Sequence, residues 1–221
     1  MYIDTDPLLE QLIPYDRIQN ETRVNLLWQG MLFVGLLTSR LTCLCGLPSD
    51  CVSIGIRDIE YLFVYGYVAG VIININSDRG AVLRRWWFWL IYIGSGVIFS
   101  TIGEIKTMQW SITQNVIWTP YIIITITGGG VVILSLFFQI ALYYRNIQYC
   151  GLISLIYTVR TIQVLSATNL HLHHYWLVWN IMLLCPIANS LYNDILLAIF
   201  TGIFVQGVSE YGAAPIVNLC D

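Results

Sequence analysis

Long apolar runs alternate with short polar stretches along this chain, and the runs predict helices that cross a bilayer. They occupy 24–44, 59–75, 86–102, 118–143, 150–166, 175–188 and 191–208. Roughly 20 helical residues span the hydrocarbon core, and most of these runs approach or exceed that length. The apolar residues are continuous and do not alternate, which argues against a β-barrel. The expected fold is all-α: a polytopic integral membrane protein of about seven transmembrane helices. The last two runs are short, with Pro186 near the end of one and Asn193 and Asp194 opening the other. They are expected either to cross fully or to form a re-entrant hairpin.

The chain divides into a polar N-terminal segment, 1–23, and a single helical membrane domain, 24–221, whose C-terminal module is 170–221. In the first segment Asp6 reads as an N-cap and Pro7 as the first helical residue. Leu8, Leu9, Leu12 and Ile13 then share one face, and Pro14 is expected to close this short amphipathic helix. Such a helix suits a membrane surface, a partner, or the protein's own surface. No basic stretch followed by a short apolar core opens the chain, so no cleavable signal is expected.

Small residues mark where helices are expected to pack. Gly66 and Gly70 have the four-residue spacing that lets two helices approach. Gly128, Gly129 and Gly130 lie mid-run and are read as a close crossing, with a kink or a bound lipid or pigment as alternatives. Gly202 and Gly207 are further packing candidates. Cys43, Cys45 and Cys51 bracket a turn-rich loop without paired CxxC spacing. They are read first as small buried hydrophobes. The next reading is a disulfide joining Cys51 to Cys43, Cys45 or Cys220, and the last is a metal site.

Composition sharpens the membrane reading. Asp, Glu, Lys and Arg make up 10% of the 221 residues and apolar residues 57%, against about 25% charged in soluble domains. The net charge of −3 and the lack of any basic run argue against a nucleic-acid partner. Arg84 and Arg85 directly precede Trp86, Trp87 and Trp89, the signature of a headgroup belt. Tyr175 and Trp176 are assigned to a second belt, so phospholipids are expected partners. With the N-terminus on the cytoplasmic or matrix side, Arg17, Arg23, Arg79, Arg84, Arg85 and Arg145 lie inside. Only Arg57 and Lys106 then occupy outer loops, as the positive-inside rule requires. That topology gathers Glu60, Glu104, Glu210, the three histidines, and the span-end residues Arg40 and Arg160 at the outer side.

The candidate chemistry centres on His171, His173 and His174, the only histidines in the chain. With Glu104 or Glu210 they offer a donor set for zinc, copper or iron. On a helix His171 and His174 share a face while His173 does not, so two histidines and a carboxylate fit more easily than three histidines. Competing readings are an interfacial belt and a proton relay. The belt is favoured, with no cofactor. A bis-histidine haem between two helices of this chain is excluded by the histidine count. No serine–histidine–acid set, phosphate-cradling glycine loop or CxxC redox pair is present.

His171, His173, His174 and Tyr175, followed by Gly202, Gln206, Gly207, Tyr211 and Gly212, resemble the C-terminal membrane region of LCCL-domain-containing proteins of fungi and protists. The resemblance covers about the last fifty residues and lacks the LCCL domain itself. It implies a shared membrane module, with His171, His173, His174, Gln206 and Gly207 as the residues carried over, and no particular reaction. The expected function is a non-catalytic multi-pass subunit of a larger membrane assembly, such as an organellar energy-converting complex of an inner membrane or a virion membrane. Its expected partners are other membrane subunits. A metal-dependent membrane enzyme and a small transporter or channel are the alternatives.

Overall fold

The computed structural model describes residues 7–73, 75, 78–105, 119–139, 174–185 and 190–213. Every helix named here lies within them, and no strand occurs among them. The helices are α1 (Pro7–Leu44), α2 (Ile56–Ile72), α3 (Trp86–Gly103), α4 (Pro120–Gln139), α5 (His174–Met182) and α6 (Leu191–Tyr211), with a 3-10 helix at Asp78–Arg84. Among the described residues, three segments are long and apolar enough to cross a membrane: Asn20–Leu44, Trp86–Gly103 and Leu191–Tyr211. The expected run 150–166, with Arg160, lies outside the described residues.

Local chemistry explains most helix boundaries. Gly55 precedes α2, and its N–H donates to Asp58 Oδ2 at 2.7 Å, a side-chain cap that starts the helix earlier than 59. Pro120 opens α4 at the first helical position, where its missing N–H costs nothing. Pro186 has no N–H to offer the Met182 carbonyl and disfavours helix at the residue before it, so α5 stops at Met182, short of 188. At Pro14 the expectation is corrected. The helix runs through it without a break, and Pro7–Leu44 is one element of 38 residues. Proline removes one helical hydrogen bond there, and many other bonds remain to carry the element.

α6 is the axis of the bundle. It buries residues on all its faces, among them Asn193, Asp194, Thr201, Gln206, Ser209 and Glu210. α1, α3 and α6 run in the same direction. Near their starts Arg85 Nη1 meets Asp194 Oδ2 at 3.5 Å. Near their ends Thr42, Ser100 and Glu210 converge. α2 runs back against α1. The Trp28 indole donates to the Gly66 carbonyl at 2.8 Å, and a Cβ on Gly70 would stand 2.7 Å from Trp28 Nε1. One turn further along α1, Leu32 Cδ1 lies 2.3 Å from where a Gly66 Cβ would be. Steps of four residues on both helices thus keep the two in antiparallel register.

α3 and α6 approach most closely at glycine. A Cβ on Gly202 would fall 2.2 Å from Ser95 Oγ and 2.3 Å from the Tyr92 carbonyl, and one on Gly96 would lie 3.4 Å from the Gly202 carbonyl. Tyr92 crosses to α1, where its hydroxyl donates to the Met31 carbonyl at 2.9 Å. α5 begins beside the start of α2. Tyr175 is fully buried with its ring edge-on to Tyr61, and the Trp179 indole donates to the Tyr65 carbonyl at 3.0 Å. Thr201 Oγ1 reaches Met182 Sδ at 3.1 Å, joining α5 to the middle of α6. α4 docks through buried Leu136 and a 3.2 Å contact between Ser135 Oγ and the Tyr192 hydroxyl.

Candidate functional site

The bundle has two chemically distinct ends. At the arginine end, Arg84 and Arg85 are exposed and Trp86 is 76% exposed. Arg85 lies over the Trp87 ring, 5.7 Å from its centroid, while also reaching Asp194. Trp89 is half-buried, its indole donating to the Leu83 carbonyl at 2.7 Å. Of the five residues assigned there to a headgroup belt, Arg84, Arg85 and Trp86 are exposed, while Trp87 and Trp89 are partly buried against the core.

At the opposite end, α1 finishes in a loop closed by a Cys43–Cys51 disulfide with a Cα–Cα separation of 5.8 Å. Reading these two cysteines as buried hydrophobes is thereby corrected: the loop folds back on itself and brings them into bonding distance. Cys45 is free and exposed, and Cys185 is buried, its thiol 3.7 Å from the Ile181 carbonyl. Gly46 takes a φ of 80°, the left-handed conformation in which glycine has no Cβ penalty.

Beneath that loop sits a buried polar cluster. The Glu210 side chain is fully buried. Ser100 Oγ lies 2.5 Å from Glu210 Oε1, Thr42 Oγ1 lies 3.2 Å from the same oxygen, and Gln206 Nε2 donates to Oε2. The backbone closes the cluster from above. The Val52 N–H donates to the Glu210 carbonyl at 2.8 Å. Arg40 Nη1 donates to the Val52 carbonyl at 2.8 Å and the Ser209 carbonyl at 2.9 Å. One arginine and one glutamate thus connect α1, α3, α6 and the disulfide loop.

Two further carboxylates pin the same end. Glu104 accepts from both the N–H and the hydroxyl of Ser49, the latter at 3.1 Å. Asp58 accepts from the Ala213 N–H at 2.8 Å through the oxygen not used by Gly55. Gly212 turns the chain there with a φ of 75°. The crevice between α1, α3 and α6, lined by Gly35, Thr38, Ser39, Thr42, Tyr92 and Gly96, encloses about 10 Å³. That is roughly room for a single water.

The structure partly assembles the residues singled out in the sequence. Glu104 and Glu210 lie at the same end, each engaged by its own donors. His171 and His173 lie outside the described residues, and so does the side chain of His174, which opens α5. Among the described residues, no three His, Cys, Asp or Glu side chains are placed to hold a metal ion. Tyr175 is corrected: assigned to an interfacial belt, it is fully buried against α2. The Trp176 side chain is not among those described. Gly66, Gly70 and Gly202 sit at close helix contacts, and Gly207 is buried on α6. A Cβ on Gly128, Gly129 or Gly130 meets nothing within 4 Å among the described residues, so no described helix supplies the crossing expected there.

Ser100 and Thr42 are not legible in the sequence as partners of Glu210. The signal available was on α6 itself, where Gln206, Ser209 and Glu210 interrupt an apolar helix at three- and four-residue spacing. Polar groups so placed inside a span need partners on neighbouring helices. Which neighbours supply them is a tertiary fact. No family model, curated protein or solved structure matches this chain.

Proposed function

We propose that the chain is a non-catalytic, multi-pass subunit of a larger membrane assembly, contributing helix packing and lipid contacts. The observation that carries this reading is the division of labour between buried and exposed side chains. Polar side chains of α6 turn inward, where Asp194, Thr201 and Glu210 tie it to its neighbours. Large apolar side chains turn outward instead: Leu26, Phe33 and Leu41 on α1, Val64 and Val71 on α2, and Leu90 and Ile98 on α3. Those faces suit lipid tails and the helices of other subunits. Arg84, Arg85, Trp86 and Trp87 suit phospholipid headgroups.

The directions of the helices support a higher span count than the three longest segments. If α1 and α3 both cross in the same sense, the 17 residues of α2 must return across the membrane between them. At 1.5 Å per residue α2 reaches about 25 Å, which a slightly thinned bilayer accommodates. With α4, the run at 150–166, and the α5–α6 hairpin, the total approaches seven. We read the N-terminus as cytoplasmic or on the matrix side of an organellar inner membrane. The disulfide supports this, because such bonds persist where the compartment is oxidising. It lies at the end opposite Arg84 and Arg85, whose charge favours the inside. The 170–221 hairpin is proposed to be a packing module of the kind found in LCCL-domain-containing membrane proteins.

Extraction in a mild detergent, followed by native mass measurement, tests the subunit reading. A particle well above the mass of one chain with its bound detergent, containing other membrane proteins in fixed ratio, is the expected result. A stable, partner-free monomer would contradict it.

A further inference from the structure

Arg84 and Arg85 stand on an anchored platform. Val82 and Leu83 of the 3-10 helix Asp78–Arg84 are buried in the core. Gly80 packs so closely on α1 that a Cβ there would fall 2.5 Å from Val24 Cγ1. From α3 the Trp89 indole holds the Leu83 carbonyl. With those groups turned inward, the next three side chains, Arg84, Arg85 and Trp86, are left exposed.

The two guanidinium groups are unequally engaged. Arg85 reaches Asp194 at 3.5 Å through Nη1 and lies over the Trp87 ring. The Arg84 side chain has no hydrogen-bond or ion-pair partner among the described residues. α3 begins directly after the pair, and no side chain caps its first turn. Backbone N–H groups at such a start favour an anionic acceptor.

An apolar track leads away from this point along α3. Trp86, Leu90 and Ile98 are all exposed, spaced in steps of four with Gly94 between the last two. A Cβ on Gly94 would meet nothing within 4 Å among the described residues, so the track is open there. A soluble anion would use only the cations. A phospholipid would use both the cations and the track.

We propose that Arg84 and Arg85, with the uncapped first turn of α3, bind the phosphate of an anionic phospholipid whose acyl chain lies along Trp86, Leu90, Gly94 and Ile98. Guanidinium groups suit phosphate because their forked donors match its oxygens. A zwitterionic lipid brings an ammonium group of its own, which the same arginines repel, so a headgroup of net negative charge is selected. The inference deepens the lipid contacts of the subunit reading and rests on that part of it.

Native mass spectrometry of the full chain in detergent, given equimolar phosphatidylglycerol and phosphatidylcholine with identical acyl chains, tests it. The parent should retain phosphatidylglycerol about tenfold more, since each cation at an anionic headgroup contributes about fivefold and Asp194 takes part of Arg85's share. Arg84→Gln should cut the preference about fivefold. Arg84→Gln with Arg85→Gln should remove it, and Arg57→Gln, exposed at the opposite end of the bundle, should leave it unchanged. Equal retention of the two lipids by the parent overturns the proposal, as does a preference untouched by Arg84→Gln. So does displacement of the lipid by inorganic phosphate at matched concentration, which would mark a site for the soluble anion. If the double variant fails to fold, Arg84→Gln decides the matter alone, because it breaks no described contact. The same spectra report other subunits: their absence contradicts the subunit reading and leaves the lipid preference standing.

Discussion

The indole of Trp28 donates to the carbonyl of Gly66 across 2.8 Å, and both groups are buried. The bond sets the register of α1 against α2, since Trp28 also fills the space that a side chain on Gly70 would need. Replacing Trp28 with Phe keeps an aromatic ring and loses the donor. The expected cost is about 1–2 kcal/mol, read as an earlier midpoint in an SDS-titration unfolding curve. An unchanged midpoint would show that this bond does not hold the helix pair.

The glycines of α4 and α6 should respond in opposite ways to the same change. Gly202→Ala places a Cβ 2.3 Å from the Tyr92 carbonyl, a backbone atom that can yield only if α3 moves. A loss of about 1–3 kcal/mol is expected, as for other overpacked sites. Gly129→Ala meets no described atom within 4 Å and gains helix propensity, so it should be neutral or stabilising by up to about 1 kcal/mol. Thermal unfolding of both variants in one detergent checks the contrast.

Arg40 holds two carbonyls on different segments, Val52 in the loop and Ser209 in α6. Arg40→Met retains much of the stem and removes both donors. Hydrogen bonds from a charged donor contribute about 1.5–3 kcal/mol each, and some of that loss is recovered by water at this half-exposed position. A net destabilisation of about 2 kcal/mol is expected. Faster proteolysis within 45–55 should accompany it, measured by limited digestion and peptide mapping.

The cysteines make a separate chemical prediction. Without reductant, a maleimide should modify Cys45, while Cys43 and Cys51 should react only after reduction. Cys43→Ser should lower stability by about 2 kcal/mol, the lower part of the range for native disulfides, because the closed loop is short. Equal labelling of all three in the unreduced protein would contradict the pairing.

How much of this was legible in the sequence differs from element to element. α3 was read to within a residue, because Arg84, Arg85 and the tryptophans mark its entry and an unbroken apolar run marks its length. α6 was read in extent as far as 208, yet not as the axis of the bundle. Its polar residues resemble interruptions until Ser100, Thr42 and Met182 are brought beside them. Continuation of α1 through Pro14 was not legible, since proline's cost is local while the stability of a 38-residue helix is collective. The disulfide was one of three pairings for Cys51, and only the fold of the loop selects Cys43. Tyr175 has the composition of an interfacial residue, and burial against Tyr61 depends on where α2 lies.

Two-sided labelling of intact vesicles tests most directly whether this bundle crosses a membrane with its two ends on opposite faces. A membrane-impermeant maleimide would be applied from outside and then after permeabilisation, with peptide mapping of Cys45 and of an Arg84→Cys variant; both positions are exposed, at opposite ends of the bundle. In sealed vesicles of one orientation only one of the two positions should react from outside, with Cys45 on the non-cytoplasmic face. Equal reaction of both from the same side would contradict it.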